Sequence, residues 1–416
     1  MVTVFGLGFV GLTTALGFSQ MGHKVYGIDI NYDHKEIIRS GKVPFMEPNL
    51  EDVLKQTLNK NFFVSDNLKI AMKKSEYIFF CVGTPYGKNG EADLTYLYNA
   101  LEEAILSIDD DKFRTFIIKS TVPPSTTLTE IKPFIEKKNL NNNCKIGVAN
   151  NPEFLREGHC WEDFIKADRI VIGVDDKKVE KKLYNLYKTA NIPLYFVSLN
   201  TSEFIKYLSN SFLATMISFS NEMSMIADYI GDIDISKAFN IFHKDKRWDG
   251  CEIVSYMYPG CGYGGYCLPK DTNALYSISK KNEFDANILY NVIKINDEMP
   301  KYIVDKIEKS LTNNKTKIGV LGLSFKPNSN DVRDTSSAKI IDILIKRGYK
   351  DILVYDPVAN EEFHKHYKFN INYAKSTKDL LGYVDVIVIV TAWEEFKNIN
   401  LYTKKPIVDC RYILNK

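Results

Sequence analysis

An excess of charge of either sign is missing from this chain. Among 416 residues, 54 lysines and arginines face 52 aspartates and glutamates, for a formal net charge of +2. That balance excludes a global attraction to nucleic acid or an anionic membrane, so any basic site has to be local. Long hydrophobic runs are also missing: none reaches the roughly 18 uninterrupted apolar residues of a membrane span. The apolar opening "MVTVFGLGFVGL" has neither a cationic leader nor a small-residue cleavage site, and the expectation is a cytoplasmic protein without a signal peptide. Cysteine is sparse, odd in number and irregularly spaced (81, 144, 160, 251, 261, 267, 410). Such spacing fits neither a disulfide framework nor a paired C-x-x-C metal site, and no metal is expected. Most of these thiols read as small buried apolar groups. Low-complexity segments and long charge runs are absent too.

The composition that is present, 45% apolar and 25% charged, belongs to a globular protein. The length favours two or three domains. Short apolar runs ("VTVFGLG", "KVYGIDI", "YIFFCVGTP", "RTFIIKSTVP", "KIGVANNP", "RIVIGV") alternate with helical stretches through the first 200 residues or so. Continuous apolar strands between helices predict a parallel sheet covered on both faces. A second block, "KIGVLGLSF", "DILVYDP", "VDVIVIVTAW" and "PIVDCR", reads as a distant repeat of the first, with glycine ending the first strand and aspartate the second (Asp29, Asp356). Between the blocks, apolar residues fall at helical spacing, as in Phe204, Leu208, Phe212, Met216 and Phe219. This stripe reads as core or subunit contact, and a homodimer through the central helices is expected. The predicted fold is α/β, with two Rossmann-like doubly wound parallel-sheet domains joined by a central helical segment. The expected divisions are 1–198, a dinucleotide-binding domain; 199–300, the helical connector; and 301–416, the second Rossmann-like domain.

"VFGLGFVGL" places Gly6, Gly8 and Gly11 in a G-x-G-x-x-G pattern between a strand and a helix. In such a fingerprint the first glycine permits the turn, the second lets backbone approach a pyrophosphate, and the third lets helix pack on strand. Asp29 follows about 20 residues on, where a carboxylate binds the ribose hydroxyls and repels a 2′-phosphate, so NAD is expected over NADP. The competing reading is a tight turn with Asp29 as a helix cap. Lys35 reads as a solvated helix residue.

"GCGYGGYCLPKD" sets Cys267, Lys270 and Asp271 behind glycines 260, 262, 264 and 265. Glycine would let this backbone fold closely around a ligand. A neighbouring lysine favours thiolate, and an aspartate can accept protons. A glycine-rich surface turn with a buried structural cysteine accounts for the stretch equally well.

Taken together, "GLGFVGL", "CVGTP", "STVPPST", "NPEFLREG", "KYLSNSFLATMISFSNE", "PGCGYGGYCLPKD" and "LGLSFKPNSNDVRDT" resemble the UDP-glucose/GDP-mannose dehydrogenase family over essentially the whole chain. The resemblance implies that NAD⁺ is used twice to convert the terminal CH₂OH of a nucleotide sugar to a carboxylate, for polysaccharide biosynthesis. It implies that Cys267 forms a thiohemiacetal and then a thioester. Lys206 and Asn210 would stabilise the alkoxide, Asp271 with Lys206 and Thr121 would orient water and accept protons, and Glu153 would assist thioester hydrolysis. Thr84, Thr121, Glu157, Lys270 and Arg333 match cofactor-contacting positions. Phe154, Leu155, Arg156, Lys206, Asn210, Tyr263, Gly264, Lys326 and Arg411 match substrate-side positions.

Two departures bear on the sugar. Tyr266 stands where the family usually has serine. Cys251 stands where an arginine commonly reaches the neighbouring subunit's sugar, leaving Arg247 as the nearest arginine. UDP-glucose is the leading substrate, with GDP-mannose, an N-acetylated UDP-hexose and a GDP-heptose as alternatives. A two-electron hydroxyacid or 6-phosphogluconate-type dehydrogenase would need no cysteine and leaves the second Rossmann-like half unexplained. A non-catalytic nucleotide-sugar or NAD sensor would have no use for a thiol beside a Lys-Asp pair.

Overall fold

Apolar runs with no polar alternation can be buried on both faces, and the core strands of the N-terminal unit are. Val2–Phe5 (β1), Val25–Ile28 (β2), Phe62–Val64 (β3), Tyr77–Phe80 (β4), Arg114–Ile118 (β5), Ile146–Asn150 (β6), Ile170–Gly173 (β7) and Leu194–Val197 (β8) form one sheet in the order β3-β2-β1-β4-β5-β6-β7-β8. Every residue of β1 and of β5 is buried, as expected for a sheet with helices on both sides. The computed structural model describes residues 1–87, 90–140, 144–250, 255–311 and 316–414, and divides them into two compact units, Met1–Leu208 and Ser209–Lys416. Cys251 lies outside the described residues.

All strand pairs in this sheet are parallel except β6 with β7, which meet antiparallel at the single pair Asn150 and Gly173. The expected wholly parallel sheet therefore holds from β3 to β6 only. The connection between β6 and β7 goes into the "NPEFLREG" loop and the six-residue helix Cys160–Ile165, which packs on helix Phe9–Gln20. That helix does not return the chain to the starting edge of the sheet, as a parallel crossover must.

In the C-terminal unit, Ile318–Leu321 (β9), Ile352–Tyr355 (β10), Asn372–Tyr373 (β11), Val386–Ile389 (β12) and Ile407–Asp409 (β13) form an all-parallel sheet ordered β11-β10-β9-β12-β13. This order repeats that of β3-β2-β1-β4-β5. Each sheet changes direction beside its first strand, and ligands of open α/β sheets bind at such switch points.

Among the described residues no strand lies between β8 and β9. That span holds helices Leu199–Ile230, Ile235–Phe242, Cys267–Lys281 and Asn287–Glu308. On the first of them Met216 is buried, whereas Phe204, Leu208, Phe212 and Phe219 are each about half exposed (46 to 53%). Among the described residues no helix is long and apolar enough to cross a membrane.

Candidate active site

In the N-terminal unit the three fingerprint glycines have three different surroundings. Gly6 has φ +83°, and a Cβ there would lie 2.8 Å from the Cys81 carbonyl oxygen. A Cβ on Gly11 would sit 1.7 Å from the Gly6 carbonyl oxygen, so only glycine lets the helix lie this close to the strand. Gly8, the residue before helix Phe9–Gln20, has nothing within 4 Å of its Cβ position. Its front is the open space a pyrophosphate needs at a helix N-terminus. These residues fit NAD.

The cap of the helix after β2 is Asn31, whose side chain accepts from His34 N–H, so the helix-cap reading of Asp29 does not hold. Leu7 N–H donates to Asp29 Oδ2 (2.6 Å) and Asn31 N–H to Oδ1 (2.7 Å), which ties β2 to the glycine turn. A half-buried carboxylate with two such bonds keeps lone pairs for ribose hydroxyls. Asp356, its counterpart, receives Leu323 N–H (2.8 Å), Ser324 N–H and Oγ–H, the Trp393 indole, and the N–H groups of Val358 and Ala359. Fully committed and buried, it has no capacity for a ribose. Ser324 there takes the place of Gly8. The repeat has kept the aspartate clasp and given up the open glycine, so the dinucleotide fit belongs to the first sheet.

Thr84 donates to the Thr121 carbonyl (3.0 Å) and brings the segments after β4 and β5 together. Lys35, read as solvated, is instead paired with Asp66 (2.7 Å) with its side chain only 14% exposed. Lys206 Nζ lies 3.0 Å from Glu153 Oε1, both side chains being over nine-tenths buried, and Glu153 Oε2 accepts from Leu155 N–H (2.6 Å). The Phe154 ring lies beneath Lys206 and Arg169. Arg156 points elsewhere, to Asp163 at 2.7 Å on the surface, and Glu157 is half-buried.

Buried charges that escaped the sequence reading include Lys119, Glu47 and Glu203. Lys119 donates to Asn151 Oδ1 (3.2 Å); burial holds its pKa down, and Cys81, Glu153 and Lys206 are its titratable neighbours. Its signal was a lysine ending the apolar run "RTFII". Glu47 accepts from Gly158 N–H (2.9 Å) and Trp161 N–H (3.4 Å), which fastens the "NPEFLREG" loop, and burial raises its pKa.

Glu203 braces the turn after Thr121 in the same way, accepting from Ser125 N–H (2.7 Å) and Thr127 N–H (2.9 Å). Burial outweighs those bonds and pushes its pKa up to about 7 from 4.5. A carboxyl whose pKa rises on folding binds its proton more tightly in the folded state. Its contribution is therefore complete below pH 4.5 and is lost as pH rises through about 7. The difference corresponds to roughly 3 kcal/mol. Glu203→Gln is expected to flatten the decline in denaturant midpoint over that window; an unaltered slope would rule out Glu203 as its source.

In the C-terminal unit Cys267 is the first residue of helix Cys267–Lys281 and the only exposed cysteine among those described. Cys144, Cys160, Cys261 and Cys410 are buried, and burial pushes the Cys81 thiol up to about 12. Asp271 is buried, with Lys270 Nζ 2.6 Å from Oδ1 and Asn210 Nδ2 2.5 Å from Oδ2. The glycines ahead of Cys267 are filled by this chain rather than held open. A Cβ on Gly260 would meet Arg411 (2.5 Å), on Gly262 Asn296 (2.6 Å), on Gly264 the Asp334 carbonyl (2.4 Å) and on Gly265 the Phe325 ring (2.9 Å). Tyr263 turns its side chain into an apolar cluster with Ala214 and Val292, and its backbone N–H (2.7 Å) and carbonyl (3.1 Å) are both bonded to the Asn296 side chain. Lys326 is half-buried near the Phe325 ring. Arg247 is surface-exposed and paired with Asp245 (2.5 Å).

An open glycine at a helix N-terminus and an acid at the end of the second strand make this a Rossmann-fold dinucleotide-binding protein. Three descriptions match in order: "UDP-glucose/GDP-mannose dehydrogenase family, NAD binding domain" over residues 1–191, "central domain" over 200–298 and "UDP binding domain" over 319–416. The chain belongs to the UDP-glucose/GDP-mannose dehydrogenase family. It is 35% identical to the UDP-glucose 6-dehydrogenase YwqF of Bacillus subtilis, over 100% of this chain and 92% of the relative. The solved UDP-glucose dehydrogenase of Pyrobaculum islandicum superposes with a TM-score of 0.93 at 35% identity, covering 99% of this chain and 94% of that one. A UDP-D-ManNAc dehydrogenase from Pyrococcus horikoshii gives 0.87 at 27% identity, covering 100% and 96%.

Proposed function

We propose that this protein oxidises the terminal CH₂OH of UDP-glucose to the carboxylate of UDP-glucuronate through covalent intermediates on Cys267. The observation that carries the reading is Cys267 itself: an exposed thiol at a helix N-terminus, one turn before an aspartate held by Lys270 and Asn210. The relatives named for UDP-glucose support the choice of sugar.

Bound NAD⁺ supplies the hydride acceptor for both oxidations. Loss of a hydride and a proton converts the alcohol to an aldehyde, which is itself a poor hydride donor. Addition of the Cys267 thiol across the C=O gives a tetrahedral thiohemiacetal, from which a second hydride and proton leave the thioester. Water then cleaves the C–S bond, giving the carboxylate and the free thiol. The free N–H groups of the helix favour negative charge developing on sulfur. Lys206 and Asn210, one turn apart on helix Leu199–Ile230, are assigned as donors to the alkoxide. Asp271 and Thr121 are assigned to proton transfer, and Glu153 to the hydrolytic water. Lys326 and Arg411 are the cations assigned to the sugar nucleotide, for its diphosphate and a sugar oxygen.

Incubation with NAD⁺ and UDP-glucose, GDP-mannose, an N-acetylated UDP-hexose or a GDP-heptose tests the reading. Two NADH per UDP-glucose, with carboxylate formed, is the expected result. One NADH and a keto product from every sugar would exclude the thioester route.

The half-exposed faces of Phe204, Leu208, Phe212 and Phe219 support a homodimer through the long helix. A solution mass of 47.7 kDa rather than twice that would remove this assignment. The odd number and irregular spacing of the cysteines support a cytoplasmic location, which cell fractionation tests.

A further inference from the structure

Tyr266, the large residue directly before the thiol, has its ring between two cations. The guanidinium carbon of Arg333 lies 4.6 Å from the ring centroid and the Lys270 ammonium 5.7 Å from it. Each cation is also fixed by a carboxylate: Arg333 forks onto Asp331 through Nε (2.9 Å) and Nη2 (2.5 Å), and Lys270 reaches Asp271 at 2.6 Å. The backbone adds a further tie, because Gly265 N–H donates to the Arg333 carbonyl (3.0 Å). An aromatic face attracts a cation without occupying its donors, and the Arg333 side chain is still 41% exposed, whereas the Lys270 side chain is 2% exposed and held by Asp271.

We propose that Tyr266 is a positioning residue, whose ring sets the Arg333 guanidinium beside the nucleophile as a ready-made cation for a diphosphate. The inference rests on the proposed function for its ligand. A diphosphate occurs in both the dinucleotide and the sugar nucleotide, and Tyr266 acts on whichever of them this guanidinium holds. A serine in its place keeps the Gly265–Arg333 backbone bond but frees the guanidinium to sample other rotamers, a cost that falls on binding.

The test is calorimetric titration of NAD⁺ and, separately, of UDP into the full-length protein and its Tyr266→Ser, Tyr266→Phe, Arg333→Gln and Tyr266→Ser/Arg333→Gln variants. Tyr266→Ser is expected to weaken one ligand roughly three- to ten-fold and the other by less than about two-fold. Tyr266→Phe should restore wild-type binding, and the double variant should be no weaker than Arg333→Gln alone. Unchanged Kd for both ligands would overturn the proposal, and so would a Tyr266→Phe defect equal to that of serine, or additive losses in the double variant. Because binding is read without turnover, a wild type that binds both ligands yet forms no NADH would refute the proposed function and leave this result standing or falling alone.

Discussion

Replacing Cys267 with alanine is expected to lower kcat by roughly a thousand-fold or more while NAD⁺ and sugar-nucleotide binding survive. The first oxidation needs no thiol, so a single turnover should yield at most one NADH per site and no carboxylate. The second oxidation has to proceed from a tetrahedral adduct, and no other described cysteine can supply one. Cys261, six residues upstream, is buried against Cys410, and Cys160 and Cys144 are buried in the N-terminal unit. Rapid-quench NADH counting, with mass spectrometry for a covalent adduct on the wild type, makes the measurement. Near-normal turnover by Cys267→Ala would place this protein with two-electron dehydrogenases, whose hydride leaves a plain alcohol.

What could be read from the sequence was local in sequence. Gly6, Gly8 and Gly11 impose backbone constraints within one turn, and Asp29 lies at the end of the neighbouring strand, so both the motif and its register were visible. The strands buried on both faces were visible for the same reason. β3 and β11, with three and two residues, carry too short a pattern to register, and β8 exposes Tyr195. What stayed hidden were partners far along the chain. Glu47 closes on Gly158 and Trp161, Glu203 on Ser125 and Thr127, and the glycines before Cys267 on Arg411, Asn296, Asp334 and Phe325. From sequence alone those glycines implied room for a ligand. Gly262 and Gly265 have a positive φ that favours glycine, and at all four a distant segment of the same chain crowds the Cβ position, which no single-sequence pattern encodes. Tyr266 was visible as an oddity, but its two cations were not, since Arg333 lies far from it in sequence.

The pair Lys206 and Glu153 separates stability from chemistry. Both side chains are over nine-tenths buried and their charged atoms are 3.0 Å apart. Lys206→Met alone strands a carboxylate that still accepts from Leu155 N–H but has lost its ammonium. Breaking a buried pair in this way costs roughly 3–5 kcal/mol. Adding Glu153→Gln removes the stranded charge while an amide oxygen still accepts from Leu155. The double variant is therefore expected within about 1 kcal/mol of wild type, which makes the coupling between the sites comparable to the loss in the single variant. Activity should not follow. With the ammonium gone, no donor replaces it at the alkoxide, and both variants should remain at least roughly a hundred-fold below wild type in kcat. Urea midpoints and single-turnover rates on wild type, Lys206→Met, Glu153→Gln and the double variant read the two effects separately. If activity returned along with stability, Lys206 would hold the fold of the loop and take no part in the chemistry. If Lys206→Met alone were as stable as wild type, the Glu153 carboxylate would have to be held by another cation, and Lys119, buried beside it, is the group that would then be tested by Lys119→Met.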